Sequence, residues 1–111
     1  LGNIYIVLGN CYNDLNKLNE AESEYNTCIK LNADDADYYF KRAIVFGKKQ
    51  KFEQSLSDLT VCIELNPNYH EAYYWRGVAK LNLKLNPCSD FNVAARRYYE
   101  PAVKALANYC K

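Results

Sequence analysis

Apolar residues recur every three or four positions through Tyr5-x-x-Leu8-Gly9-x-x-Tyr12 and again through Ala21-x-x-x-Tyr25-x-x-Cys28. That spacing predicts two short helices, each with one apolar face. Gly9 and Ala21 fall where the two helices would meet backbone to backbone, so the unit is a helix–turn–helix hairpin. A hairpin of this size cannot bury its own apolar face and calls for copies of itself.

The copies are present at a period of 34 residues. One step carries Tyr5 to Tyr39, Tyr12 to Phe46, Leu18 to Phe52, Tyr25 to Leu59, Cys28 to Cys62 and Leu31 to Leu65. A second step carries Tyr39 to Tyr73, Arg42 to Arg76 and the small Ala43 to Gly77. The pattern W-x2-L-G-x2-Y…A-x3-F…P at this period resembles the tetratricopeptide repeat (TPR). Tyr5 stands at the Trp site, and Leu8-Gly9, Tyr12, Ala21 and Tyr25 match. Cys28 takes a site usually held by Ala, Ala33 replaces the closing Pro, and the second copy does close on Asn66-Pro67.

The expected fold is all-α: a helix–turn–helix solenoid of three TPR repeats plus a C-terminal capping helix. The repeats are assigned to residues 2–35, 36–69 and 70–100, and the cap to 101–111. Helix A of the first repeat is expected over about Asn3 to Leu15, with Asn16 taking a left-handed turn position. Asn19 is expected to cap helix B, followed by Glu20, Glu22 and Glu24 on its positive end. Asp34 and Asp35 should end that helix and cap the next. In the second repeat helix A spans about Ala36 to Lys49 and helix B about Phe52 to Asn66. Asn68 with Glu71 has the spacing of a capping box for the third repeat. There, Asn86-Pro87 is a helix start, and aligning Phe91 and Ala94 with the large and small sites of helix B requires a turn two residues shorter. Cys88-Ser89-Asp90-Phe91-x-x-Ala94 resembles the last B helix of many bacterial TPR arrays. Glu100-Pro101 opens a final helix to about Cys110, with Val103 and Leu106 expected to face the third repeat, as a cap over the exposed end of an array would.

Composition narrows the function classes. The chain has 111 residues, half of them hydrophobic and 24% charged, which describes a folded chain. No apolar run approaches the roughly 20 residues needed to span a bilayer. A start at Leu1 and the absence of Met predict a segment of a longer protein. The five cysteines, Cys11, Cys28, Cys62, Cys88 and Cys110, are odd in number and contain no C-x-x-C, which argues against both a disulfide framework and a zinc site. Cys28 and Cys62 recur in stacked repeats about 10 Å apart, beyond the about 7 Å limit for a disulfide. All five are expected to be reduced, which favours a reducing, cytoplasmic setting. Charge is graded: residues 1–35 carry net −4, residues 36–69 net +1 and residues 70–111 net +4.

The resemblance implies a ligand groove along the A helices. Its sites map to Asn3, Ile6, Asn10 and Asn13; to Asp37, Phe40, Lys41 and Ile44; and to Glu71, Tyr74, Trp75, Val78 and Leu81. The expected surface is an aromatic and aliphatic trough with an amide-lined end, suited to an extended peptide or an amphipathic helix. Phe40 and Tyr74 also occupy sites where an aromatic serves packing alone. TPR domains that hold chaperone C-terminal carboxylates use a Lys and an Asn four apart, then an Asn, then a Lys and an Arg. The matching sites are Ile6, Asn10, Lys41, Glu71 and Trp75; only Asn10 agrees, so that clamp is rejected. There is no catalytic set, metal-ligand cluster or phosphate loop, and no cofactor is implied. The single His70 beside Glu71 reads as a solvated first-turn residue. Lys48, Lys49 and Lys51 form a basic turn, but a net charge of +1 is too low for a nucleic-acid surface. The expected function is a module that binds a protein or peptide. The alternatives are self-association, acidic first repeat against basic last, and an accessory arm of a larger enzyme.

Overall fold

The computed structural model describes residues 2–97 and 99–110, so Tyr98 and Lys111, which fall in the third repeat and the cap as assigned above, lie outside the described residues. Seven helices follow one another: α1 (Gly2–Asp14), α2 (Leu18–Leu31), α3 (Ala36–Lys48), α4 (Phe52–Leu65), α5 (His70–Asn82), α6 (Cys88–Arg96) and α7 (Glu100–Tyr109). Each packs on the next, and α1 also meets α3 as α3 meets α5. Stacking in sequence order gives an elongated body of 46 × 24 × 21 Å.

The turns repeat with the sequence. Asn16, Gln50 and Lys84 each adopt positive φ, 60°, 61° and 63°, at intervals of one repeat length. Only Asn16 is a residue that tolerates this region well, so the turn geometry is imposed on the other two by the packing of the helices they join. Between repeats, the Asn32 and Asn66 side chains accept from the backbone N–H groups of Asp34 and Asn68 (3.2 and 3.1 Å). Tyr39 and Tyr73, at the Trp site, donate their hydroxyls to the carbonyls of Ala33 and Pro67 (3.0 and 2.9 Å), which ties each turn to the following helix.

Helix caps follow expectation at Asp35, which accepts from the Asp37 N–H at 3.0 Å, and at Asn86, which accepts from Cys88 N–H while Pro87 already has helical dihedrals. Two expected caps are absent. Helix α2 starts at Leu18 with Ala21 N–H bonded to the Lys17 carbonyl, so Asn19 lies inside the first turn and accepts from Lys49 instead. Asn68 does not form a box with Glu71, because Tyr69 precedes α5 and the Asn68 amide oxygen accepts from Arg97.

The core is built from small residues on A helices facing large ones on B helices. Ala21, Tyr25, Ala43, Leu59, Phe91 and Ala94 are buried. A Cβ built on Gly9 would lie 2.5 Å from the Tyr25 ring, and one on Gly77 2.5 Å from the Phe91 ring. The interval from small to large site is 16 residues for Gly9 to Tyr25 and 14 for Gly77 to Phe91, yet the turn itself is not shorter: residues 83–87 separate α5 from α6, where residues 15–17 and 49–51 make the two earlier turns, because α6 lacks the first turn of the other B helices. Helix α7 lies on α6 through Ala102 and Ala105, and Leu106 is half-buried. Val103, expected on that face, points outward because the close approach of two short helices selects alanine at the contact.

The cysteines depart from expectation. Cys88 and Cys110 form a disulfide, with their Cα atoms 5.8 Å apart. The hairpin formed by α6 and α7 returns the end of the cap to the start of α6, a proximity that spacing along the chain does not reveal. Cysteine usage therefore no longer favours a reducing compartment. Cys11, Cys28 and Cys62 are free, the last two buried. Burial pushes the Cys62 thiol up to about 12 and raises Cys28 as well, with Glu24 adding to the latter. Since the thiolate is the reactive species, a thiol reagent should modify Cys11 rapidly in the folded chain and Cys28 and Cys62 only after denaturation. Rapid labelling of three thiols without denaturant would contradict this packing.

Two buried ion pairs recur between A and B helices. Arg42 donates to both carboxylate oxygens of Asp58 (2.8 Å each) and to Asn26 (3.0 Å). Arg76 grips Asp90 in the same way (2.9 and 2.8 Å), joined by Lys80 at 2.9 Å. The first repeat has Leu8 at the arginine site and Glu24 at the acid site, and the buried Oε2 of Glu24 has no hydrogen-bond partner among the described residues.

Candidate ligand-binding surface

The A helices α1, α3 and α5 contribute every residue assigned to the groove, but the structure divides them into three groups. The first is tied up within the chain. Asn10 accepts from the Tyr25 hydroxyl at 2.6 Å, Asn13 from Lys48 at 2.7 Å, and Asp37 from the Tyr69 hydroxyl at 2.7 Å. Burial, then the bond to Asp37 and its charge, raise the Tyr69 hydroxyl far above its ordinary range and keep it a donor. Phe40 stacks on the same Tyr69 ring (centroids 4.8 Å apart) and packs against the core of the second repeat. Ile6 packs against the core around Tyr25. The Asn13–Lys48 bond joins the first repeat to the second, and the other contacts fasten helices within a repeat.

The second group converges. Ile44 from α3 and Trp75 and Val78 from α5 line one pocket of about 220 Å³, closed by Ala43, Gly47, Lys48, Phe52, Ser55 and Ala79. The Ser55 hydroxyl is already spent on the Ala43 carbonyl at 2.9 Å. The walls are therefore almost wholly apolar, with the Lys48 side chain as the charge among the lining residues. Trp75 is 36% exposed, so one part of its ring is open to solvent while the rest meets the pocket wall.

The third group sits toward the cap. Tyr74 makes edge contacts with Trp75 and Tyr99 (5.0 and 5.3 Å between centroids) and a tilted one with Phe91 (5.7 Å). It also borders a shallower depression with Pro101, Lys104, Asn108 and Tyr109 of α7. Burial raises the Tyr99 hydroxyl, and Glu71 adds to the shift. Lys41, Glu71 and Leu81 are partly exposed, and Asn3 is exposed. Lys48 and Phe52 were missed as pocket residues. Phe52 is signalled only as the counterpart of Leu18, and Lys48 only as part of a basic turn.

Among the described residues no three His, Cys, Asp or Glu side chains cluster as metal ligands, and no helix is long and apolar enough to cross a membrane. What the geometry defines is a helical-repeat scaffold whose A helices carry an apolar pocket at the junction of two repeats. A TPR repeat model matches residues 9–50 and a tetratricopeptide repeat model residues 36–69, together more than half of the chain. The chain belongs to the tetratricopeptide repeat family.

Solved structures agree. The Arabidopsis OM64 TPR domain is 27% identical, with a TM-score of 0.92, and the match covers 97% of this chain and 93% of that one. The second TPR domain of human RPAP3, in complex with the HSP70 peptide SGPTIEEVD, is 27% identical with a TM-score of 0.89, covering 100% and 99%. The second TPR of Spaghetti (RPAP3), bound to the HSP90 peptide SRMEEVD, is 29% identical with a TM-score of 0.82, covering 85% and 89%. No curated protein sequence matches the chain.

Proposed function

We propose that this chain is a protein-interaction module that holds an extended peptide, or a segment of a partner protein, on the surface formed by α1, α3 and α5. The observation that carries the reading is the pocket of about 220 Å³ bounded by Ile44, Trp75 and Val78. It is smaller than the roughly 300–1,000 Å³ of sites for drug-sized ligands, and its size and lining suit a single apolar side chain of a longer ligand. Trp75 is the anchor, offering a large ring at low entropic cost. Lys41 and Glu71 set ligand polarity, since Asp37, Asn10 and Asn13 are engaged within the chain. No catalytic role is assigned.

The related RPAP3 domain binds a peptide ending in EEVD. The present chain is not expected to share that ligand. Ile6, Glu71 and Trp75 stand where a carboxylate clamp needs Lys, Lys and Arg, and Glu71 repels a carboxylate. Calorimetry with SGPTIEEVD should give no measurable binding at micromolar concentrations. A peptide selected from a random display library on the native chain should instead carry an aromatic or aliphatic anchor. Trp75→Ala should weaken that peptide by roughly 2 kcal/mol or more while shifting the melting temperature far less. The opposite outcome, full affinity with a large loss of stability, would make Trp75 a core residue and remove the groove's principal contact.

A further inference from the structure

The helical hairpins are locked by different chemistry. Arg42 joins α3 to α4 through Asp58, and Arg76 with Lys80 joins α5 to α6 through Asp90. Helices α1 and α2 are joined by the bond from the Tyr25 hydroxyl to Asn10. Among the described residues no ion pair links α6 to α7, and the single polar approach between them is that of Cys88 Sγ to the Tyr109 carbonyl at 3.9 Å, at the bridge itself. The apolar contact is slight: Ala102 and Ala105 are buried, Leu106 is half-buried and Val103 is exposed. Alanine side chains remove little apolar surface from water. At ten residues, α7 is also shorter than the roughly 12–15 at which an isolated helix becomes even marginally stable. At its near end Tyr99 packs edge-on against Tyr74 and His70, with ring centroids 5.3 and 5.8 Å apart. At its far end the bridge from Cys110 to Cys88 is what holds it down.

Cys88 and Cys110 are both half-buried, so a reductant reaches the sulfurs without the chain unfolding. We propose that the Cys88–Cys110 bond is a redox latch: closed, it docks α7 on α6; opened by a dithiol, it lets α7 undock while α1 to α5 stay folded. The latch bears on the surface as well, because Pro101, Lys104, Asn108 and Tyr109 of α7 form one side of the depression whose other side is Tyr74. Undocking removes that side. Opening takes two electrons and two protons, all supplied by the dithiol. One of its thiolates attacks a bridge sulfur, breaks the S–S bond and forms a mixed disulfide, and the displaced cysteine thiolate takes up a proton. The second thiol of the reductant then displaces the other cysteine, which leaves two thiols on the chain and a disulfide on the reductant. The bond spans 22 residues, and closing an interval of that length strongly restricts the undocked chain, so the covalent state sets the docking equilibrium. The latch lies beside Tyr74 and outside the Trp75 pocket, so it stands whether or not that pocket holds a peptide.

Amide hydrogen exchange resolved by segment tests this, in a Cys11→Ser background that removes the exposed free thiol. With the bridge closed, the amides of residues 103–109 in α7 should be protected. Dithiothreitol without denaturant should open the bridge and speed their exchange on the order of a hundredfold, the worth of a closed loop of this length. Helices α1 to α5 should keep their protection throughout. Glutathione disulfide should then restore slow exchange in α7. Cys88→Ser combined with Cys110→Ser should exchange fast from the start and respond to neither reagent. A bridge that dithiothreitol opens only in denaturant, or α7 amides that exchange no faster once it is open, would make the bond a static staple and overturn the latch. Loss of protection across α1 to α5 on reduction would overturn it too, because the bond would then be holding the whole fold. Cys88 and Cys110 titrating as free thiols under oxidising conditions would remove the bond altogether.

Discussion

Asp90→Ala should destabilise the chain by roughly 3–5 kcal/mol, the cost of stranding a buried charge by removing its partner. Asp90 is only 2% exposed, and its carboxylate takes two hydrogen bonds from Arg76 and an ion pair from Lys80, all within 2.9 Å. Without it, a guanidinium and an ammonium remain half-buried between α5 and α6 with no anion to meet. For domains whose total stability is about 5–15 kcal/mol, a loss of this size shows as a large shift of the melting midpoint. The same site makes stability depend on acid. Burial alone raises the Asp90 carboxyl, but the hydrogen bonds and charges of Arg76 and Lys80 outweigh it and hold the group below the usual carboxylate range. A carboxyl depressed in the folded state contributes its full stability above its unfolded value of about 3.9 and loses it as pH falls through the lower folded value. Chemical denaturation at pH 7 and at pH 2.5 should therefore differ more for the native chain than for Asp90→Ala. Equal midpoints for the two chains at pH 7 would mean that the ion pair contributes nothing to the fold.

The repeat was legible because it is written in positions that packing fixes. Gly9 and Tyr25 must touch, so their residue types survive as a pattern, and the same contact recurs at Gly77 and Phe91. Asn16 was legible as a left-handed turn residue, yet Gln50 and Lys84 adopt the same conformation with no compositional sign of it. The shared partnership of Arg42 with Asp58 and Arg76 with Asp90 was hidden because Asp90 lies two places out of step with Asp58 along the chain. The Cys88–Cys110 bridge was hidden for a related reason: it depends on how α7 folds back on α6, a non-local fact, whereas the distance argument made for Cys28 and Cys62 concerned neighbours in the stack. In the groove, sequence placed the right helices but not the direction of each polar group. Asn10, Asn13 and Asp37 all have hydroxyl or ammonium partners inside the chain, contributed by residues 15 to 35 positions away. Trp75, Ile44 and Val78 were assigned to one surface, and the pocket they share became visible only once α3 and α5 were set side by side.

Gly9→Leu should lower stability by about 1–3 kcal/mol through overpacking, and the rigidity of its surroundings puts it toward the upper part of that range. An added Cβ at Gly9 would lie 2.5 Å from Tyr25 Cε1 and 2.8 Å from Cδ1, distances that no side-chain rotation of the new residue can relieve. The ring it meets is fully buried, and its hydroxyl is anchored to Asn10 at 2.6 Å, so sliding the tyrosine away breaks that bond and opens space beneath α2. Gly77→Leu meets Phe91 at 2.5 and 2.6 Å, but that ring has no polar anchor, so part of the clash can be absorbed by movement of α6. The expected order of damage is Gly9→Leu, then Gly77→Leu. Gly47 provides the control, because the nearest atom to a Cβ there is the Ser55 hydroxyl at 3.9 Å. Gly47→Ala replaces a glycine in the last turn of α3 without a clash and should raise stability slightly, by less than the about 1 kcal/mol of a helix-interior position. With roughly 4–8 °C of melting shift per kcal/mol for a domain near this size, thermal melts of the three variants separate easily. A Gly9→Leu chain that melts with the native one would mean that α1 and α2 do not cross at Gly9 and Tyr25, and the register of the whole array would have to be redrawn.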